Sequence, residues 1–174
     1  MMRKPGAPAS ESLSRAAAPQ VLPRATYLLS LLDADPEEPI KGRTRLEKLA
    51  FLIQKRVIEE KKLSVTDESY RFRPLHYGPF TEEVLDDAMS LSLLGLVNIS
   101  GEDEDTQEFS ITERGRSALS RLQTKGLLPE RVGEEVRRIR LKEGKLPLDT
   151  LVGQVYNAYP EYTEKSIIKS RYLR

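Results

Sequence analysis

Between Tyr77 and Gly115 the chain reads YGPFTEEVLDDAMSLSLLGLVNISGEDEDTQEFSITERG, and this stretch limits the fold more than any other. It spells turn, helix, strand, acidic loop, strand, turn. Tyr77-Gly78-Pro79-Phe80 is the predicted opening turn. Thr81 stands where a helix cap is wanted, and Glu82 and Glu83 follow beside the positive end of the helix dipole. Val84, Leu85, Ala88, Met89, Leu91, Leu93 and Leu94 are assigned to the interior faces of that helix. Gly95 is its stop signal. Leu96–Ser100 and Gln107–Thr112 then pair as a hairpin across Gly101-Glu102-Asp103-Glu104-Asp105-Thr106. A new helix starts at Thr112 or Glu113.

This is the order of the last helix and the wing of a winged-helix domain. The expected fold class is mainly α with a small β-hairpin (α+β), a winged-helix-like domain with a C-terminal helical extension. The core is placed at residues 21–125, the extension packed on it at 126–174, and a disordered arm at 1–20, where Ala, Pro and Ser leave little to bury. In a DNA-binding winged helix, the helix before the wing enters the major groove. Here that helix carries Glu82, Glu83, Asp86 and Asp87, with no Lys or Arg from Thr81 to Gly95. A hairpin tip bearing four more acids would repel phosphates.

Further upstream, Val21–Leu32 reads as a short buried helix around Leu28, Leu29, Leu31 and Leu32, ended by the Asp33–Pro39 segment. Thr44 to about Lys61 is the clearest helix. Thr44-Arg45-Leu46-Glu47 matches a capping box, and Leu46, Leu49, Ala50, Ile53 and Val57 share one face. Phe51 and Leu52 widen that face, so the helix is expected to be well buried. Tyr70–Arg73 suits an edge strand that Pro74 ends. Downstream, Pro129 precedes a helix with Val132, Val136 and Ile139 inward. Another helix begins near Pro147, carries Leu148, Leu151, Val152, Val155, Tyr156 and Tyr159, and is broken by Pro160.

Composition narrows the functional classes. The 28 basic and 27 acidic side chains leave a net charge of +1, so any polyanion site needs local segregation of charge. The chain has no cysteine, which excludes disulfides, thiolate metal sites and cysteine nucleophiles. That fits a cytoplasmic setting. No apolar run approaches the roughly 18 residues that a membrane span needs, and no secretory signal pattern is present.

Candidates for chemistry are few. His76 is the only histidine, and a lone histidine makes neither a triad nor a metal centre by itself. With Glu82 or Glu83 it outlines a weak metal or acid/base option; packing at the strand end is the plainer reading. Glu82, Glu83, Asp86 and Asp87 fall at i, i+1, i+4 and i+5, which suits a solvated face or a surface for a basic partner. Glu102-Asp103-Glu104-Asp105 lacks the spacing of a calcium loop. Positive charge gathers one helix upstream, at Lys41, Arg43, Arg45, Lys48, Lys55 and Arg56. Lys41–Arg45 sits at the helix entry, where free amides add to the side chains as an anion contact. Phosphate-loop, dinucleotide and HExxH signatures are lacking. The expectation is therefore no catalytic residue, no metal and no cofactor.

Lys41-Gly42-Arg43-Thr44-Arg45-Leu46-Glu47-Lys48-Leu49 with Phe51-Leu52, then Tyr77-Gly78-Pro79-Phe80, Leu93-Leu94-Gly95-Leu96-Val97, Thr112-Glu113-Arg114-Gly115 and Tyr156–Ser166, resemble in order the YwgA-like proteins. Those are related in pattern to the Panacea (SocA-like) antitoxin domain. The resemblance covers about Leu22–Ser166 and implies a small winged-helix-related domain without catalysis. It implies a protein partner, a toxin or other regulatory target; with an acidic helix in the reading position, the expected contact is Tyr77–Phe80 together with that helix. The alternative is a winged-helix transcription regulator that meets DNA through the Lys41–Arg56 cations. A homodimer is compatible with either reading.

Overall fold

A computed structural model describes residues 23–172. The expected N-terminal arm, residues 1–20, lies outside them. Among the described residues the chain is mostly helical with two small antiparallel sheets, and no helix is long and apolar enough to cross a membrane.

Helix α1 (Ala25–Asp33) buries Leu28, Leu29, Leu31 and Leu32, as their clustering predicts. Two residues of strand, β1 (Ile40–Lys41), follow the proline-bounded loop. Helix α2 (Arg43–Leu52) comes next and continues with π geometry over Ile53–Glu60. Leu46, Leu49, Ala50, Phe51, Leu52, Ile53 and Val57 are all buried, so α2 is the central rod of the core. The capping box does not form. The helix begins one residue before Thr44, behind Gly42 at φ +85°, and no side chain caps it. The amides at this entry bond instead to the acidic loop: Gly42 donates to the Gln107 carbonyl at 2.7 Å and Arg43 to that of Glu104 at 3.0 Å.

Strands β2 (Arg73–Leu75) and β3 (Gly78–Phe80) make a hairpin around His76 and Tyr77. This corrects two expectations: Pro74 lies within a strand, and Tyr77-Gly78-Pro79-Phe80 is mostly strand and only partly turn. Pro74 faces Pro79. Their missing amides fit at that pair because it exchanges no backbone hydrogen bonds.

Helix α3 (Glu83–Leu93) opens with the Glu83 amide donating to Thr81 Oγ1 at 3.3 Å, and Gly95 at φ +72° ends it. Val84, Ala88 and Leu91 point inward. Met89 and Leu93 do not, at 53% and 80% exposed, because the helical period carries them to the opposite face. Strands β4 (Val97–Ser100) and β5 (Glu108–Ile111) form the expected hairpin, with Ile99 facing Phe109. β1 adds to it, pairing Ile40 with Phe109, so the sheet runs β1-β5-β4.

Thr112 caps α4 (Glu113–Thr124) by accepting the Gly115 amide at 3.0 Å. Helix α5 (Glu130–Lys142) buries Val132, Val136 and Ile139, and α6 (Leu148–Ala158) buries Leu151, Val152, Val155 and Tyr156; Leu148 is exposed. A short turn at Pro160–Thr163 and α7 (Lys169–Tyr172) complete the described chain. α5 packs on α1 and α6 on α2. Leu151 and Val155 thus share one hydrophobic cluster with Leu28 and Leu49.

Candidate functional site

The start of α2, the β2–β3 hairpin, the start of α3 and the β4–β5 loop enclose a cleft of about 370 Å³. Its apolar lining comes from Leu75, Phe80 and Leu85, and its polar lining includes Glu47, Lys48, His76, Glu82, Asp86 and Glu104. Tyr77 stands at the turn, 53% exposed. Gly78 has φ +88°, and a Cβ there would lie 2.5 Å from Tyr156 Cε1, so only glycine lets the hairpin sit on that buried ring.

Lys48 lies at the floor of the cleft. It is only 1% exposed, and its ammonium donates to the Pro79 carbonyl at 2.9 Å, tying α2 to the hairpin. Glu47 Oε2 is 4.0 Å away. Burial lowers the lysine to about 8, against the pull of Glu47. Burial also raises the Glu47 carboxyl to about 7; Lys48 opposes this and Glu104 adds to it. Two neighbouring groups that titrate close to neutrality, in a cleft, are a departure from an ordinary helix surface.

The four helix carboxylates do not share a face. Asp87 is buried and takes Arg24 Nε at 2.8 Å, Arg24 Nη2 at 3.2 Å and the Tyr70 hydroxyl at 2.9 Å. Burial, reinforced by Asp87, pushes the Tyr70 phenol well above its ordinary range. Glu83 accepts the Arg71 amide at 2.9 Å and its guanidinium at 2.8 and 3.0 Å. Burial works against its ionisation, yet Arg71 and Arg24 outweigh that and hold it below the usual carboxylate range. Asp87 and Glu83 are therefore fastenings between α3 and the segments around Arg24 and Tyr70. Glu82 and Asp86 face outward into the cleft. Glu82 touches Arg73 at 3.1 Å, an exposed pair of little energetic weight. Asp86 has no ion-pair partner among the described residues.

With Met89 and Leu93, these two carboxylates form one outward stripe on α3, acidic at its N-terminal half and apolar at its C-terminal half.

Each of the upstream cations has a partner within the chain. Lys41 lies 3.5 Å from Glu108, and Arg43 reaches Glu104 at 3.0 Å and Gln107 Oε1 at 2.7 Å. Arg45 donates to the carbonyls of Gly144 at 3.2 Å and Leu146 at 2.6 Å. Lys55 pairs with Glu59 at 2.8 Å and lies 5.0 Å from the centre of the Tyr162 ring. Arg56 pairs with the buried Glu143. Of the helix-entry amides expected to be free, those of Gly42 and Arg43 are held by carbonyls of the acidic loop.

His76 borders the cleft, and its carbonyl accepts the Ile167 amide at 3.0 Å. Among the described residues no group of three or more His, Asp or Glu is arranged to hold a metal. Glu47 was the residue that sequence reasoning overlooked. Its signal was present: it adjoins Lys48 inside a helix whose apolar positions extend around most of its circumference. Set against known family models, curated proteins and solved structures, the chain has no significant match.

Proposed function

We propose that this chain is a non-catalytic binding module that engages a protein partner through the Tyr77–Phe80 hairpin and the outward stripe of α3. With the β2–β3 hairpin set aside as an insertion between α2 and α3, the order α1, β1, α2, α3, β4, β5 and the three-stranded β1-β5-β4 sheet support a winged-helix reading. In that frame α3 occupies the reading position. The observation that carries the proposal is its outward stripe of Glu82, Asp86, Met89 and Leu93, which offers two acids and two exposed apolar side chains. Such a stripe repels phosphate and suits a protein surface. The resemblance to the YwgA-like and Panacea patterns points to the same class, with a toxin or other regulatory target as partner. The DNA-binding alternative has less support, since Lys41, Arg43, Arg45, Lys48, Lys55 and Arg56 are each engaged within the chain.

The test is comparative capture from the native host with tagged wild type, Asp86→Lys and Leu93→Glu, at native expression level. One protein retained by wild type and lost by both variants, with their thermal unfolding unchanged, is the expected result. Identical captures by all three, or no stoichiometric partner for any, would overturn the proposal.

A further inference from the structure

The stripe and the cleft are continuous, because Glu82, Leu85 and Asp86 of α3 line the cleft while Met89 and Leu93 extend the same helix beyond it. From Glu82 to Leu93 this surface runs about 16 Å along the helix axis. Its two ends differ in chemistry. One is an opening with apolar walls and carboxylates at floor and rim; the other is an apolar shelf.

We infer that the partner presents a basic amphipathic helix, laying apolar side chains on Met89 and Leu93 and inserting one arginine or lysine into the cleft between Asp86 and Glu47. This rests on the protein-binding reading above and names the chemistry of the partner.

Charge complementarity selects the occupant. The cations already in the cleft are committed elsewhere: Arg43 to Glu104 and Gln107, and Lys48 to the Pro79 carbonyl. Asp86 has no such commitment among the described residues, and Glu47 has only the 4.0 Å approach of Lys48. Leu75, Phe80 and Leu85 give the methylenes of a long cationic side chain an apolar passage to that floor. An acidic or phosphorylated segment would meet the unpaired charge of Asp86, with Glu82 and Glu104 already matched by Arg73 and Arg43.

Insertion of a cation beside Glu47 favours its ionised form. Binding near neutrality therefore releases a proton from Glu47 to solvent. The charged groups facing Glu47 are Lys48, Arg43 and Glu104, with His76, Glu82 and Asp86 around the same cleft. With the carboxyl starting at about 7, affinity rises from pH 6 to pH 8 by up to about tenfold.

The probe is a fluorescein-labelled helical peptide of about 14 residues, long enough to span α3, with leucine on one face and arginine at its flank. Its counterpart carries glutamate for arginine. Anisotropy titration of the full chain should give saturable binding of the arginine peptide, at least about tenfold tighter than the glutamate peptide. Asp86→Lys and Leu93→Glu should each remove it. Glu47→Gln should flatten the rise from pH 6 to pH 7, a range in which Lys48, lowered only to about 8, stays mostly protonated. Equal binding of both peptides, unchanged binding by Asp86→Lys, or a rise between pH 6 and pH 7 that survives Glu47→Gln would overturn the inference. If host capture yields a stripe-dependent partner while the arginine peptide fails, only the partner chemistry falls; if capture fails while the peptide binds as described, only the cellular reading falls.

Discussion

The hydroxyl of Tyr70 donates to the carboxylate of Asp87 at 2.9 Å, with both side chains inside the protein. The same carboxylate receives a two-point contact from Arg24. Removing it by Asp87→Ala would leave a guanidinium that is 12% exposed with only Glu83, at 3.5 Å, and would strand a buried phenol. The expected loss is about 3–5 kcal/mol in urea unfolding, the range for breaking a buried charge pair from one side. Glu82→Gln, five residues earlier on the exposed face, should stay within about 0.5 kcal/mol. Similar losses for both would show that α3 is not fastened through Asp87.

Gly78→Ala tests the seat of the hairpin on α6. Two penalties coincide there, the φ of +88° and the 2.5 Å approach to the Tyr156 ring. About 2–4 kcal/mol of destabilisation is expected in thermal or urea unfolding. Gly126→Ala is the internal reference, since it has φ +72° but nothing within 4 Å of the added carbon. It should cost only the backbone part, about 1 kcal/mol. Equal effects would mean that the ring yields freely.

Glu47 makes stability depend on pH in a direction opposite to most paired carboxylates. Its folded value of about 7 lies above its ordinary 4.5, so the folded protein binds the extra proton between them. The contribution is complete below pH 4.5 and is lost as pH rises through 7. Glu47→Gln should thus leave stability unchanged near pH 4.5 and raise it progressively by pH 8. The gain is at most about 3 kcal/mol. Chemical denaturation of both proteins across this range reads it directly, and a constant difference would place the carboxyl in water.

Met89→Gln and Leu93→Gln should unfold within about 0.5 kcal/mol of wild type, because 53% and 80% of those residues is exposed. A loss of about 2 kcal/mol from either would be the signature of a core residue and would exclude the stripe as a free surface.

The parts of the fold that sequence disclosed were those with strong local grammar. Gly95 ends α3, Thr112 caps α4, and the acidic segment closes the β4–β5 hairpin, each through interactions within a few residues. What sequence misplaced was decided by distant partners. Thr44 lost its cap because α2 starts one residue before it, at an entry whose Gly42 and Arg43 amides are held by the distant carbonyls of Gln107 and Glu104. Asp87 looked like a surface acid until Arg24 and Tyr70, far away along the chain, met it in the core. Lys48 was counted among the candidate anion-binding cations although the five residues that follow it, Leu49–Ile53, are all apolar. Met89 and Leu93 were expected inside because the six apolar residues of α3 extend round most of the helix and do not themselves say which face the core will take.

The facing pair Pro74 and Pro79 has a consequence for how this surface can be used. In an antiparallel ribbon, the residues of a pair without mutual hydrogen bonds turn their backbone groups outward, toward the free edges. At both outward positions proline supplies no N–H, and the Pro79 carbonyl is already held by Lys48 at 2.9 Å. The hairpin beside the cleft therefore cannot template another strand, whether from a partner or from a second, misfolded copy. Recognition here has to proceed through side chains, and the half-buried ribbon offers no proline amide from which an aggregate could grow.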